Sequence, residues 1–216
     1  MDFISSILQQ YCEDHTDPEP TVLKEISRET HLKVLRSRML SEHFQGRFLS
    51  FLSKMLMPKR ILEIGTYTGY SAICLAEGLA EGGKLTTIDC NEELGPIIIE
   101  NIAKANMSDK IEFVNGNALN ILPTLTEVFD LVFIDADKIN YSVYYGMIFG
   151  KVRIGGLIVV DNVLWSGKVT EDVKSNDFDT IAIKAFNVEL AQDARVEKIL
   201  LPVRDGIFLV RKIKEA

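Results

Sequence analysis

From residue 60 onward, short apolar runs alternate with amphipathic stretches, and the runs carry polar residues or glycine at their carboxyl ends. The runs are RILEIG (60–65), KLTTID (84–89), KIEFVN (110–115), FDLVFIDA (129–136) and GGLIVVDN (155–162). Strands this continuously apolar are covered on both faces, which predicts a parallel sheet with helices on each side. Two further runs, RVEKILLPV (195–203) and IFLVRKI (207–213), flank Asp205-Gly206, a hairpin turn signal. The expected fold is therefore α/β, with seven strands in a mixed sheet that begins parallel and closes with an antiparallel hairpin.

Residues 1 to about 57 read helical instead. Phe3, Ile4, Ile7, Leu8 and Tyr11 fall at helical spacing. Asp17-Pro18 predicts an N-cap followed by proline in the first helical turn. Ser41 precedes a stretch with Phe44, Phe48, Leu52 and Met55 on one stripe. The 216 residues exceed one typical domain of ~150 but fall short of two. The expected organisation is a single domain, with a helical cap (1–57) on a core (58–216). A net charge of −7 argues against a general nucleic-acid binder. No apolar run reaches the ~18 residues of a membrane span, and the start lacks a basic n-region, so no secretory signal is expected. Cys12, Cys74 and Cys90 show no paired spacing, which suits a reducing cytoplasm. His15, His31 and His43 are scattered, against a zinc site of the usual kind.

The first loop of the core, Glu63-Ile-Gly65-Thr66-Tyr67-Thr-Gly69-Tyr-Ser71, follows a strand and opens a helix. Its glycines permit a tight turn and close approach to backbone N–H groups, and a helix N-terminus favours negative charge. Tyr67 stands where a dinucleotide fingerprint needs glycine, so a carboxylate-bearing ligand fits better, with Ser71 as a hydroxyl donor. Asp89 closes the second strand, 24 residues after Gly65. A carboxylate there accepts both hydroxyls of a ribose, or else caps a helix. Together these residues point to an adenosine-bearing ligand at the carboxyl edge of the sheet.

Two more strand ends are acidic. Asp135 and Asp137 close the fourth strand; Asp161 and Asn162 close the fifth. Two carboxylates and a carboxamide at one edge make a hard-oxygen site suited to Mg²⁺, Mn²⁺ or Ca²⁺; the bland alternative is two independent capping acids. Lys138 opens the next helix against the dipole. Beside a divalent cation its pKa is expected to fall toward that of a base. An ion pair with Asp137 or Asp135 is the competing reading.

The combination resembles the cation-dependent O-methyltransferases that include caffeoyl-CoA and catechol O-methyltransferases, and the bacterial caffeoyl-CoA-like branch most. The matching segments are SRMLSEHFQGRFLSFL, ILEIGTYTGYSA, LTTID, DADKINY, GGLIVVDNVLWSGKV and LPVRDGIFLVRK, covering about residues 38–213. The resemblance implies a Rossmann-like fold, a homodimer and S-adenosylmethionine as cofactor. By position, Glu63, Gly65, Thr66, Tyr67 and Ser71, with Ser41, would line that cofactor, and Asp89 would hold its ribose. Gly116, Asn117 and Ala118 would lie against the adenine. Asp135 and Asp137 would approach the methionine amino group. The metal ligands fall on Asp135, Asp161 and Asn162, with Mg²⁺ the first expectation. Met39, Tyr67, Trp165 and Ser166 would frame the acceptor, an aromatic vicinal diol, and GKVTEDVKSNDFDT (167–180) would border it. Lys138 and Asp135 would be catalytic.

Two rivals remain at this point. A nicotinamide-dependent oxidoreductase is opposed by the missing GxGxxG and the closing hairpin. A non-catalytic nucleotide-binding regulator is opposed by the intact DADK and DN pairs. The apolar stripe from Phe3 to Tyr11 is open to three readings: core, dimer contact or membrane-surface face, the last weakest for an acidic chain.

Overall fold

The computed structural model describes residues 5–215. The strands are β1 (Arg60–Ile64), β2 (Lys84–Asp89), β3 (Ile111–Asn115), β4 (Phe129–Ile134), β5 (Val152–Asp161), β6 (Val196–Leu201) and β7 (Ile207–Lys212). The helices are α1 (Ser6–Asp14), α2 (Thr21–Lys33), α3 (Glu42–Leu56), α4 (Tyr70–Ala76), α5 (Gly95–Lys104), α6 (Ala118–Ile121), α7 (Tyr141–Phe149) and α8 (Phe178–Gln192). Every strand run anticipated from the sequence is present, most within a residue or two, and the mixed seven-stranded class is met.

Two compact units divide the described residues, one of residues 7–118 and the other of residues 119–215 together with residues 5–6. In the first, β3-β2-β1 run in parallel, with Ile64 opposite Ile88 and Asp89 opposite Asn115. Helix α4 packs on these strands, and α5 packs on β3. In the second, β4 and β5 are parallel with Ile134 opposite Val160, while β7 lies antiparallel between β5 and β6. Ile61 to Ile64 in β1 and Leu131 to Ile134 in β4 are buried without alternation, so both faces of these strands are covered. Lys212 of β7 is fully buried; its ammonium donates to the carbonyls of Phe149 and Val152 at 3.0 and 2.8 Å.

The N-terminal helices depart from expectation in three places. Helix α2 starts at Thr21 rather than after Asp17, with Pro20 at its N-cap. Pro18 and Pro20 bracket Glu19, and a residue before proline is pushed out of the helical region. The Glu19 carboxylate instead accepts from the Tyr70 hydroxyl. Second, α3 buries Gln45, Gly46, Leu49, Ser50 and Ser53, while Phe44, Phe48 and Leu52 are half-buried and Met55 is exposed. Close approach to α4 explains the inversion. A Cβ at Gly46 would meet Tyr70 Cε1 at 2.6 Å, and one at Gly78 would meet the backbone of Ser53 at 2.2 Å. Ser53 donates to the Leu75 carbonyl at 2.6 Å; Arg47, Ser50 and Lys54 all donate to the Glu77 carboxylate. Burial alone would raise the Glu77 pKa, but those donors hold it down at about 2. Third, Ile7, Leu8 and Tyr11 of α1 are exposed, so they are not core; Phe3 and Ile4 lie outside the described residues. Among the described residues no helix is long and apolar enough to cross a membrane.

Candidate active site

In the first unit, register gathers three turns at one edge. Gly65 follows Ile64, Gly116 follows Asn115, and Asp89 closes the strand between them. Gly65 donates to the Ile88 carbonyl at 2.9 Å and Gly116 to that of Asp89 at 2.8 Å. Their φ values, 99° and 149°, are ones a side chain disfavours, so glycine here leaves a backbone cradle. The Asp89 carboxylate accepts from the N–H groups of Thr66 (3.0 Å), Tyr67 (2.8 Å) and Asn91 (2.9 Å). It therefore anchors the Gly65 turn rather than capping a helix; Asn91 does the capping. The buried Glu63 accepts from Thr87 at 2.5 Å, and Thr87 also meets Thr66 at 2.5 Å. Ser71 is buried in the first turn of α4, Ala118 begins α6 beside Asn117, Ser41 is buried before α3, and Met39 is half exposed.

The loop is held from outside as well. Thr30 donates to Thr68 at 3.1 Å, Asn101 to the Thr68 carbonyl at 2.9 Å, and the Tyr67 hydroxyl to the Leu35 carbonyl at 3.1 Å. These bonds fix the loop to α2, to α5 and to the segment leading to Met39.

The second unit builds the acidic cluster. Ile134 faces Val160, so the next step along each strand places Asp135 and Asp161 at adjoining ends. Asp161 Oδ1 accepts from the N–H of Asn162 at 2.8 Å, while the Lys138 ammonium is buried here and spends all three donors. It donates to Asp135 Oδ1 (3.0 Å), Asn162 Oδ1 (2.7 Å) and the Tyr141 hydroxyl; Tyr141 in turn donates to the Asp161 carbonyl at 3.0 Å. The ammonium also stands 5.9 Å from the Trp165 ring centre. Of the two acids offered as its partner, Asp135 is the one; Asp137 instead accepts from Tyr144 and Asn140.

The fall expected of the Lys138 pKa was tied to a neighbouring cation; among the chain's own groups alone it moves the other way. Burial pulls it down, but Tyr141, Asp135 and Asp161 together push it well above the ordinary lysine range. Burial pushes Tyr141 up as well, so the pair stands as ammonium and neutral phenol. Asp135 and Asn162 thus converge on one positive charge, and the charge of Asp161 acts on the same group. That donor set of two carboxylates and a carboxamide fits a hard divalent cation. Among the described residues no group of three or more His, Cys, Asp or Glu gathers as a metal site. His15, His31 and His43 each face a backbone carbonyl, those of Tyr11, Ser27 and Asp17.

Ser166 is exposed and Trp165 half-buried, in a turn where Asn162, Trp165 and Ser166 all have left-handed backbone, with φ of 58°, 47° and 53°. The 3-10 turns within residues 165–170 are broken by a kink at Ser166 and Gly167, and α8 takes up the end of the polar 167–180 segment. Sequence reasoning passed over Tyr141 and Asp205 as site residues. Tyr141 was within reach, as the last residue of DADKINY, three positions after Lys138.

A glycine turn and acid at one strand edge, with a lysine-centred acidic cluster at another, are what the sequence led one to expect of an adenosyl-cofactor transferase. Comparison with known proteins agrees: a family model described as O-methyltransferase matches residues 13–213. Caffeoyl-CoA O-methyltransferase of Petroselinum crispum is 38% identical over 210 residues, covering 90% of this chain and 85% of that protein. The O-methyltransferase from Bacillus cereus, solved with SAH, has a TM-score of 0.88 at 33% identity, covering 95% of this chain and 97% of that one. The O-methyltransferase TomG from Streptomyces achromogenes, solved with SAM, has a TM-score of 0.87 at 30% identity, covering 96% of each. The chain belongs to the O-methyltransferase family. It is an S-adenosylmethionine-dependent O-methyltransferase related to the caffeoyl-CoA enzymes, which sets aside the nicotinamide and regulator readings. The family match also begins earlier than the residue 38 expected from motifs.

Proposed function

We propose that this enzyme methylates one hydroxyl of an aromatic vicinal diol, of catechol, hydroxycinnamate or flavonoid type, with a divalent cation held by Asp135, Asp161 and Asn162. The observation that carries this is the convergence of Asp135 and Asn162 oxygens on the buried Lys138 ammonium. The names of its caffeoyl-CoA relatives support a hydroxycinnamoyl thioester among the acceptors to be tried. Mg²⁺ is the cation of first choice, with Mn²⁺ and Ca²⁺ as alternatives.

When bound, S-adenosylmethionine supplies a methyl on a sulfonium and the cation supplies charge that acidifies a hydroxyl. The chain's residues do the rest. Glu63, Gly65, Thr66, Tyr67, Ser71, Ser41, Asp89, Gly116, Asn117, Ala118, Asp135 and Asp137 hold the cofactor. Met39, Trp165 and Ser166 orient the acceptor ring. Lys138 stands as the ammonium among its own partners, so Nζ would take or relay the hydroxyl proton only once a cation shares Asp135 and Asn162 and its own proton has left; Asp135 holds Lys138 in place. Orientation and exclusion of water supply most of the acceleration.

The reading extends to a single methyltransferase domain in the cytoplasm, consistent with three free thiols. It also extends to a homodimer, for which the exposed Ile7, Leu8, Tyr11, Phe51 and Met55 offer apolar surface.

The test is a methyl-transfer screen of catechols, hydroxycinnamates, their CoA esters and flavonoids, with and without Mg²⁺. EDTA is expected to abolish transfer while S-adenosylhomocysteine binding, followed by calorimetry, largely survives. Full activity in rigorously metal-free enzyme would refute the cation.

A further inference from the structure

Asp205 lies in the loop between β6 and β7 and has no part in the assignments above, yet the 162–167 turn closes on it. In the antiparallel register Asp161 faces Ile207, which brings Asp205 and Gly206 alongside the residues that follow Asp161. The N–H of Val163 donates to the Gly206 carbonyl at 3.1 Å, and that of Leu164 to the Asp205 carbonyl at 2.9 Å. The N–H of Ser166 donates to Asp205 Oδ1. Only glycine permits this approach: a Cβ at Gly206 would sit 2.4 Å from Leu164 Cγ. The turn needs such support, because Asn162, Trp165 and Ser166 hold left-handed conformations that L-residues avoid.

The remaining carboxylate oxygen faces the carboxamide of Asn162, with Nδ2 3.5 Å from Asp205 Oδ2. That contact is at the long limit for a hydrogen bond, and it acts in the same sense as the shorter bond from Lys138. A carboxylate only accepts, so it favours the NH₂ end of the amide and turns Asn162 Oδ1 the other way. Oδ1 there accepts from Lys138 at 2.7 Å.

We propose that Asp205 is a positioning residue. It holds the Asn162–Trp165 turn and fixes the Asn162 amide so that its oxygen, not its nitrogen, faces the Lys138 ammonium. This deepens the cation reading above and rests on it where that oxygen is taken as a metal ligand; the hold on the turn does not depend on it.

Two variants of the full chain test this. Asp205→Asn is isosteric and keeps an oxygen for the Ser166 N–H, but turns an NH₂ toward the Asn162 NH₂ and so replaces the carboxylate's pull on that amide by a clash of donors that loosens its hold on Oδ1. Asp205→Ala removes both acceptors. Trp165 is the only tryptophan in the sequence, so its emission reports on this turn alone. In metal-free Asp205→Ala, Trp165 is expected to emit further to the red and to be quenched more readily by acrylamide. Asp205→Asn is expected to keep the wild-type emission and melting temperature. Its Mn²⁺ affinity, by calorimetry, should be weaker by about tenfold, as for other residues that orient a metal ligand. Its S-adenosylhomocysteine affinity should be unchanged. Wild-type Mn²⁺ affinity in Asp205→Asn, or wild-type Trp165 emission and quenching in Asp205→Ala, would overturn the proposal. Should the wild-type protein itself take up no Mn²⁺ while Trp165 responds to Asp205→Ala, the cation reading falls and the role of Asp205 in holding the turn stands.

Discussion

Replacing Lys138 by methionine keeps most of the side chain's bulk and removes its charge. Three hydrogen bonds go with it, two of them to Asp135 Oδ1 and Asn162 Oδ1 at 3.0 and 2.7 Å. Asp135 and Asp161 are then left without their shared counter-charge in a largely buried cluster. Breaking a buried pair by removing one partner costs ~3–5 kcal/mol. The Asp135 side chain keeps 23% exposure, so the low end, about 3 kcal/mol, applies. For a chain of this length that corresponds to a fall in melting temperature of roughly 6–12 °C. The loss should appear in thermal or urea unfolding of the metal-free protein, and added Mn²⁺ should narrow it, since a second cation would meet the same carboxylates. Turnover should drop far more than S-adenosylhomocysteine affinity, because most of the proposed cofactor residues, those of the turns at Gly65 and Asp89 among them, make no contact with Lys138. A loss below about 1 kcal/mol would refute the claim that the ammonium holds this cluster together. Equal losses of turnover and cofactor affinity would refute a role for Lys138 in the transfer step.

Other perturbations probe the α3–α4 contact. The Glu77 pKa falls from 4.5 to about 2 in the folded chain, so this carboxylate stabilises above pH 4.5 and its contribution is lost as pH drops through about 2. The contribution is about 3 kcal/mol, and the stability gap between wild type and Glu77→Gln should close between those pH values; a gap that stays constant down to pH 2.5 would refute it. Gly78→Ala drives a methyl into the backbone of Ser53 and Lys54 and should cost about 3 kcal/mol or more. A melting temperature within about 2 °C of wild type would contradict that packing.

The strands were legible because each apolar run is bounded by residues that cannot continue it, and the acids at their ends followed from strand direction alone. Asp135, Asp161 and Asn162 needed no further signal, since parallel neighbours deliver their carboxyl ends to one edge. Helix α3 was misread because its hydrophobic stripe is real but is not the side that packs. Gly46, Ser50 and Ser53 bury themselves through close backbone approach, which spacing of apolar residues does not register. The fall expected of the Lys138 pKa was tied to a bound cation; the chain's own side chains around it, Tyr141 and Asp135 foremost, favour the charged form. Asp205 read as a turn residue because turns favour aspartate for local reasons. Nothing local reveals that the same carboxylate reaches Ser166, 39 positions away.

The placement of β7 between β5 and β6 governs the order in which this unit can be assembled. During synthesis β5 emerges long before its second neighbour, so its outer backbone edge stays open while α8 and β6 are made. The strand that delivers Asp161 is therefore finished only when the last pairing partner arrives. Nascent chains halted before residue 207 should carry a complete Gly65–Asp89 turn and, in the other unit, an unsealed, aggregation-prone ribbon.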